Sequence, residues 1–138
     1  MQFEYSIEGG NFSKAGQASS EIKKMLKQLN VDLGIIKRTV VATYEAEVNV
    51  VAHAYKGNIS VDLDEKRIII KISDQGPGIA DIDEAMREGY STASSEVREM
   101  GFGAGMGLPN MKKNADDLKI SSEVGKGTEV IITMFFVK

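Results

Sequence analysis

Cysteine is absent from this 138-residue chain, and histidine occurs once, as His53. Without thiols there can be no disulfide and no thiolate metal centre, and a reducing compartment is allowed. A lone imidazole rules out a multi-histidine metal site. No apolar run approaches the roughly 20 residues that a membrane-spanning helix needs. The opening Met1-Gln2-Phe3-Glu4-Tyr5 lacks the basic and apolar regions of a secretory leader. A cytoplasmic location with no membrane partner is therefore expected. Positive charge is not in excess either, since 17 Lys and Arg against 20 Asp and Glu leave a net charge of −3. That excludes a broad electrostatic footprint for nucleic acid, so no direct nucleic-acid partner is expected. Internal repeats, low-complexity tracts and linkers are also missing.

What is present is ordinary for a globular protein. Hydrophobic residues make up 42% and charged residues 27% of the chain. The length suits one domain, residues 1–138, with a real core. Phe3 to Glu8 alternates apolar and polar, as a half-buried strand does, and Gly9-Gly10-Asn11 breaks it. Ser13 can cap a helix running to about Asn30, with Ile22, Met25, Leu26 and Leu29 as its buried stripe. Asp32 can cap a longer helix to about Tyr55, ended by Lys56-Gly57-Asn58. Its apolar positions are Leu33, Ile36, Val40, Tyr44, Val48, Val51 and Tyr55. Strands are predicted at Ile59 to Leu63 and Arg67 to Ser73, joined by Asp64-Glu65-Lys66.

A short helix is expected over Asp81 to Glu88, and a long small-residue loop over Gly89 to Gly105. A loop of that length inside a compact domain is usually functional or disordered. Met106 to about Asp116 reads as a helix that tolerates Pro109 in its first turn. Leu118 to Ser122 and Thr128 to Val137 read as strands around Gly125-Lys126-Gly127. This order of elements suggests an α+β sandwich with helices on one face of a mixed sheet.

Three stretches can carry chemistry. In the first, Ser73-Asp74-Gln75-Gly76-Pro77-Gly78-Ile79, a strand delivers a carboxylate into an abrupt glycine loop. Asp74 there can accept a hydrogen bond, for instance from an exocyclic amine. Glycine lets backbone pass close to a ligand. The same residues also suit a turn that only reverses the chain. In the second, Glu45 and Asn49 lie four apart on one helix face, with His53 four further along. An amide oxygen suits a hard cation such as Mg²⁺, and a carboxylate can take a proton from an attacking hydroxyl. A solvated helix face would look the same. In the third, Gly101-Phe102-Gly103-Ala104-Gly105-Met106-Gly107-Leu108 runs into a helix start. Stacked N–H groups plus a positive helix end can cradle an anion, and a flexible hinge is the plainer alternative. It is neither a Walker loop nor a dinucleotide fingerprint.

Taken in chain order, the stretches resemble the GHKL ATPase superfamily, which includes DNA gyrase, heat-shock chaperone ATPases, histidine kinases and MutL. Glu45-Ala46-Glu47-Val48-Asn49 looks like its N-box and Asp74-Gln75-Gly76-Pro77-Gly78 like its first glycine box. Gly103-Ala104-Gly105-Met106-Gly107 looks like the second, and Gly127-Thr128 like the Gly-Thr that ends the nucleotide site. Within the superfamily the chain looks most like bacterial anti-sigma-factor kinases and stressosome switch-protein serine kinases. That likeness rests on Asp74 to Ile79, on Glu88-Gly89-Tyr90-Ser91-Thr92 and on His53-Ala54-Tyr55.

The resemblance implies a two-layer α/β sandwich, the Bergerat ATP-binding fold, with a mixed, mostly antiparallel sheet covered by helices on one face. It implies ATP and Mg²⁺. The implied activity is an ATP-dependent protein-serine kinase acting on a small anti-sigma-factor antagonist of the STAS type. Such a kinase would also bind a sigma factor or activate a phosphatase, and the resemblance leaves room for a homodimer. A nucleotide-gated switch with little turnover and a detached histidine-kinase-like domain are the alternatives. By resemblance, Glu45 is the base and Asn49 the Mg²⁺ ligand. Asp74 accepts from the adenine amino group, Gly76 and Gly78 give the base room, and Thr128 assists. The Gly89 to Gly105 lid folds over the triphosphate, with Gly103, Gly105, Met106, Gly107 and Leu108 lining the phosphates. Arg98 and Lys112 are candidate cations for the γ-phosphate. Glu47 departs from the pattern as a second acid. It points about 200° around the helix from Glu45, which leaves the base role to Glu45.

Overall fold

The computed structural model describes residues 1–79, Ile82, Met86 and 107–136. Strands β1 (Gln2–Glu8), β2 (Lys56–Leu63), β3 (Arg67–Gln75), β4 (Asp117–Glu123) and β5 (Gly127–Phe135) form one five-stranded sheet in the order β1-β2-β3-β5-β4. Helices α1 (Gln17–Gln28), α2 (Leu33–His53) and α3 (Gly107–Asn114) complete the described elements, with a short 3-10 turn at Phe12–Lys14. The expected α+β class holds. All four strand pairings are antiparallel, so among the described residues the sheet is not mixed. The helix expected over Asp81 to Glu88 lies outside the described residues except for Ile82 and Met86. Met86 N donates to Ile82 O at 2.9 Å, the spacing of a helical turn. The lid expected over Gly89 to Gly105 lies wholly outside them.

Strand alternation supplies the core. Ile68, Ile70 and Ile72 of β3 are buried while Arg67 and Lys71 point to solvent. Ile59, Val61 and Leu63 of β2 and Val130, Ile132 and Met134 of β5 repeat the pattern on either side. A period of two puts all nine on one face, against the helices. Both edge strands carry exposed charges, Glu4 and Glu8 on β1 and Asp117, Lys119 and Glu123 on β4. Charged edges discourage strand addition by other chains.

Strands β1 to β4 reach slightly further than expected, whereas β5 starts one residue early and ends at Phe135, short of the expected Val137. β2 begins at Lys56, so Lys56-Gly57-Asn58 belongs to the strand instead of to a helix stop. Its backbone groups are claimed by β3, where Gly57 pairs with Asp74.

The helices differ more. Ser13 does not cap α1; its hydroxyl bonds Asn11 Oδ1 at 2.8 Å, and α1 starts four residues later behind Gly16. Gly16 has no side chain with which to cap. The vacant cap is filled from another helix, since Glu47 of α2 accepts from Ala18 N at 3.1 Å and from Ser19 N at 3.2 Å. Those are two of the N–H groups a helix start leaves without intrahelical partners, and a carboxylate there also complements the helix dipole. The other end of α1 closes with Asn30 at φ 57, Asn30 N bonding Lys27 O and Val31 N bonding Leu26 O. That is the paired-carbonyl closure of a Schellman end. Leu29 lies at this end and is 48% exposed, so it leaves the expected stripe.

Asp32 does cap α2, its Oδ2 accepting from Gly34 N and Ile35 N. The buried face of α2 matches the expected one only in part. Ile36, Val48 and Val51 are buried as expected, but Leu33, Tyr44 and Tyr55 are exposed, and Thr39, Ala42, Thr43, Ala46 and Val50 join the buried face. The two threonines satisfy their hydroxyls locally, Thr39 Oγ1 to Ile35 O and Thr43 Oγ1 to Thr39 O, both at 2.7 Å. Their methyl groups can then pack as apolar surface. Tyr55 lies beyond the helix, its N–H taken by Gln75 O at 2.8 Å. This bond, with Gly9 N to Tyr55 O at 2.8 Å and Gly10 N to Val51 O at 2.7 Å, pins the end of α2 beside the end of β3.

Candidate functional site

That pinning brings two of the chemical stretches together. β3 ends at Asp74-Gln75, and the chain then turns through Gly76-Pro77-Gly78 directly over Ala54, the residue that follows α2. A narrow cleft of about 60 Å³ opens between α2 and the sheet, lined by Asn49, His53, Asp74, Ile79 and Thr128 over an apolar floor of Ala46, Val50, Ile72 and Val130. Residues from positions 49, 74 and 128 thus share one wall-to-wall space.

Two glycines hold the loop in place. Gly78 has φ 76, and a Cβ there would lie 2.8 Å from Glu123 C and 3.0 Å from Val124 Cα. Gly127 has φ 151, and a Cβ there would lie 2.9 Å from the carbonyl carbon of Asp74. Only glycine supplies both the torsion and the clearance. Gly78 is therefore also required for packing onto the β4–β5 turn, alongside its expected place next to a base. Gly76 is buried and donates to Lys126 O at 3.2 Å.

Asp74 Oδ1 accepts from Thr128 N at 3.1 Å. Burial pushes the Asp74 carboxyl above the usual aspartate range, against a smaller lowering by that N–H. A half-buried carboxylate with one N–H donor retains accepting capacity toward the cleft. Ser122, which the sequence pattern does not single out, ties the loop to the sheet. Its hydroxyl receives Ile79 N at 2.7 Å, reaches Gly127 O at 3.0 Å and lies 2.8 Å from Thr128 Oγ1. Only its position opposite Thr128 across β4 and β5 could have revealed it, and that pairing is tertiary.

Glu45 and Asn49 are half-buried on one face of α2, as their spacing requires. Glu45 Oε1 accepts from Asn110 Nδ2 at 3.3 Å, across to the first half of α3. Burial raises the Glu45 carboxyl above its ordinary range, and the Asn110 hydrogen bond partly opposes this. Asn110 is a second residue that no sequence motif marks. Burial also holds the His53 imidazole below its ordinary range, favouring the neutral ring beside Asn49. Glu47 faces the other way and is 2% exposed, committed to the start of α1. Of the two acids in this segment, Glu45 alone is placed beside α3.

Gly107 opens α3, with Pro109 in the first turn, where its missing N–H leaves no helical bond unmade. Leu108 is buried in the core at 6% exposure, so only its backbone is available to a ligand. Gly103, Gly105, Met106 and Arg98 lie outside the described residues. Lys112 is exposed and lines a separate hollow with Ile82, Met86 and Leu118. A wider hollow of about 530 Å³ between β1 and α1 contains Glu47 but none of Glu45, Asn49, Asp74 and Thr128. Among the described residues no three His, Cys, Asp or Glu side chains cluster to hold a metal. None of the described helices is long and apolar enough to cross a membrane.

Residues 12–134 match the family model described as the histidine kinase-like ATPase domain. The chain belongs to the histidine kinase-like ATPase family. Several curated members are similar to it. Serine/threonine-protein kinase RsbT of Bacillus subtilis is 36% identical over 97 residues, which cover 67% of each chain. Anti-sigma F factor of Caldanaerobacter subterraneus is 33% identical over 124 residues, covering 86% of this chain and 82% of that protein. Anti-sigma F factor of Clostridium acetobutylicum is 28% identical over 141 residues, covering 99% of this chain and 92% of that protein.

Proposed function

We propose that the chain is an ATP-dependent protein-serine kinase of a partner-switching pathway, a single catalytic domain over residues 1–138 acting in the cytoplasm. Its substrate is a small STAS-type anti-sigma-factor antagonist, and it regulates a sigma factor, or a phosphatase, by binding. The observation that carries this is the convergence of Asn49, Asp74 and Thr128 on one cleft, with Glu45 one helical turn from Asn49 and held by Asn110. Similarity to a serine/threonine-protein kinase over two thirds of the chain, and to anti-sigma F factors over 86% and 99% of it, supports the same reading.

Each side chain has a role that fits its surroundings. Asp74 accepts from the amino group of adenine. Gly76 and Gly78 keep the loop clear of the base, with Thr128 beside it. Asn49 offers an amide oxygen to Mg²⁺, a donor type that hard cation prefers. With no acidic cluster among the described residues, the remaining ligands would be phosphate oxygens and water, as is usual for Mg²⁺ with nucleotides. Mg²⁺ would neutralise charge on the phosphates during transfer. Gly107 and Leu108 contribute backbone to the phosphates at the start of α3, and the same role is assigned to Gly103, Gly105 and Met106, which lie outside the described residues.

Transfer forms a bond between the serine oxygen and the γ-phosphorus and breaks the bond from that phosphorus to the β–γ bridging oxygen. Glu45 takes the serine proton, and ADP departs. Phosphoryl transfer depends chiefly on positioning and charge stabilisation, so a carboxylate of raised proton affinity and a metal-holding amide are an adequate minimum.

The test is incubation of the full chain with γ-labelled ATP, Mg²⁺ and a STAS-type antagonist, followed by phosphoamino-acid analysis. Phosphoserine on the antagonist is expected, and it should vanish in Glu45→Gln while ATP binding persists. ATP binding without transfer by the unsubstituted chain would replace this reading with a nucleotide-gated switch. Phosphohistidine would replace it with a histidine-kinase-like activity.

A further inference from the structure

Ser122 sits in β4 opposite Thr128 and touches three groups with one hydroxyl. A serine hydroxyl has one hydrogen to donate and two lone pairs with which to accept. Ile79 N–H occupies one lone pair, at 2.7 Å. The Gly127 carbonyl can only accept, so the serine hydrogen goes to it, at 3.0 Å. One lone pair remains for Thr128 Oγ1 at 2.8 Å, and the bond there must use the threonine hydrogen. All three contacts can be satisfied in this one way.

The consequence falls on the cleft. The Thr128 hydrogen is engaged by Ser122, so the threonine hydroxyl can only accept on its other sides. Asp74 beside it, joined through Thr128 N at 3.1 Å, is an acceptor as well. Both residues line the cleft with Asn49. A wall of two acceptors suits a ligand edge bearing two N–H bonds, which is what a 6-amino purine carries. A 6-oxo purine would set its carbonyl oxygen against the same two acceptors.

We infer that Ser122 is a positioning residue that fixes the direction of the Thr128 hydroxyl and thereby makes the site reject 6-oxo purine nucleotides. The inference rests on the reading of this cleft as the seat of the nucleotide base. Ser122 itself need not touch the nucleotide. Without its oxygen, the Thr128 hydrogen is released to turn into the cleft and serve a 6-oxo group.

Calorimetry of the full chain with Mg-ATP and with Mg-ITP tests this without requiring turnover. The unsubstituted chain should prefer ATP by on the order of a hundredfold or more, since a site built for N–H donors rejects an analogue lacking them. Ser122→Ala should lower that ratio by about tenfold, the effect of one re-aimed hydrogen bond. Ser122→Cys keeps the side-chain shape in a slightly larger group with a much weaker acceptor, and should lower the ratio too. Ser122→Thr keeps the hydroxyl and should restore it. A ratio unchanged in both Ser122→Ala and Ser122→Cys overturns the inference, including when both affinities fall together, because a purely structural serine would weaken the two nucleotides alike. Equal affinity of the unsubstituted chain for ATP and ITP overturns it while leaving the nucleotide site standing. Failure of that chain to bind ATP at all removes the site and the inference together.

Discussion

Asn110 of α3 donates to Glu45 Oε1 at 3.3 Å, so the proposed base is held from a helix 65 residues further along the chain. This bond opposes the upward push that burial exerts on the Glu45 carboxyl. The rate of serine phosphorylation should fall on the acid side at a pH above the ordinary glutamate range. Asn110→Ala removes the opposing donor and should move that limb to higher pH. A pH–rate profile with the same acid limb in both proteins would detach Asn110 from the base.

The same carboxyl has an effect on stability. Its proton is held more tightly in the folded chain than in the unfolded chain, so stability from this group is full below the unfolded pKa and lost as pH rises through the folded one. At neutral pH a charged Glu45 therefore weakens the fold. Glu45→Gln should abolish phosphoryl transfer, leave ATP affinity within about threefold and raise the melting temperature at pH 7 by a few degrees. Thermal unfolding at pH 4 and pH 7 checks the sign, because the gain should shrink at the lower pH.

Asp74→Asn separates recognition from folding. The amide oxygen can still accept from Thr128 N, so the loop should keep its anchor. The amide nitrogen, however, presents donors where an acceptor is required. ATP affinity should fall by about a hundredfold, with the melting temperature held or raised because a carboxyl whose proton affinity is elevated by burial has been neutralised. Calorimetry beside thermal unfolding measures both. Unchanged ATP affinity would remove the adenine role.

Glu47 should behave in the opposite way. Its carboxylate closes the start of α1 through Ala18 N and Ser19 N and does not face the cleft. Glu47→Ala leaves two buried N–H groups unpaired and should cost about 2–3 kcal/mol, lowering the melting temperature by roughly 10 °C. ATP affinity of the folded fraction at low temperature should be unchanged. A catalytic defect without loss of stability would reverse the assignment between the two glutamates.

Gly78→Ala tests the loop. Alanine at φ 76 is strained, and its Cβ would press on the Glu123 carbonyl and Val124. The loop must shift away from the β4–β5 turn and carry Asp74 with it. Stability should fall by about 1–3 kcal/mol and ATP affinity should fall by roughly tenfold or more. Normal binding in this variant would show that the tight loop is not needed for the site.

Sequence alone determined what depends on local spacing and residue type. The alternation of β3, the Asp32 cap, and the shared face of Glu45, Asn49 and His53 follow from periods of 2 and 3.6 and from short-range hydrogen bonding. So does the opposite heading of Glu47, which is fixed by helix geometry once α2 exists. Tertiary structure decided what those segments meet. Ser13 failed as a cap because Glu47 supplies the capping oxygens from another helix, a partner that no window around residue 16 contains. Leu33 and Tyr44 failed as core because α2 turns its threonine and alanine positions, with Ile36, Val48 and Val51, to the interior instead, and Tyr55 failed because it lies beyond the helix, tied by its backbone to Gln75. Lys56 to Asn58 became strand because β3 offered them backbone partners. Ser122 and Asn110 became visible only when β4 was laid against β5 and α3 against α2. A hydrogen bond reads distance in space, and residues 45 and 110, or 79 and 122, have no relation in sequence until the sheet and helices pack.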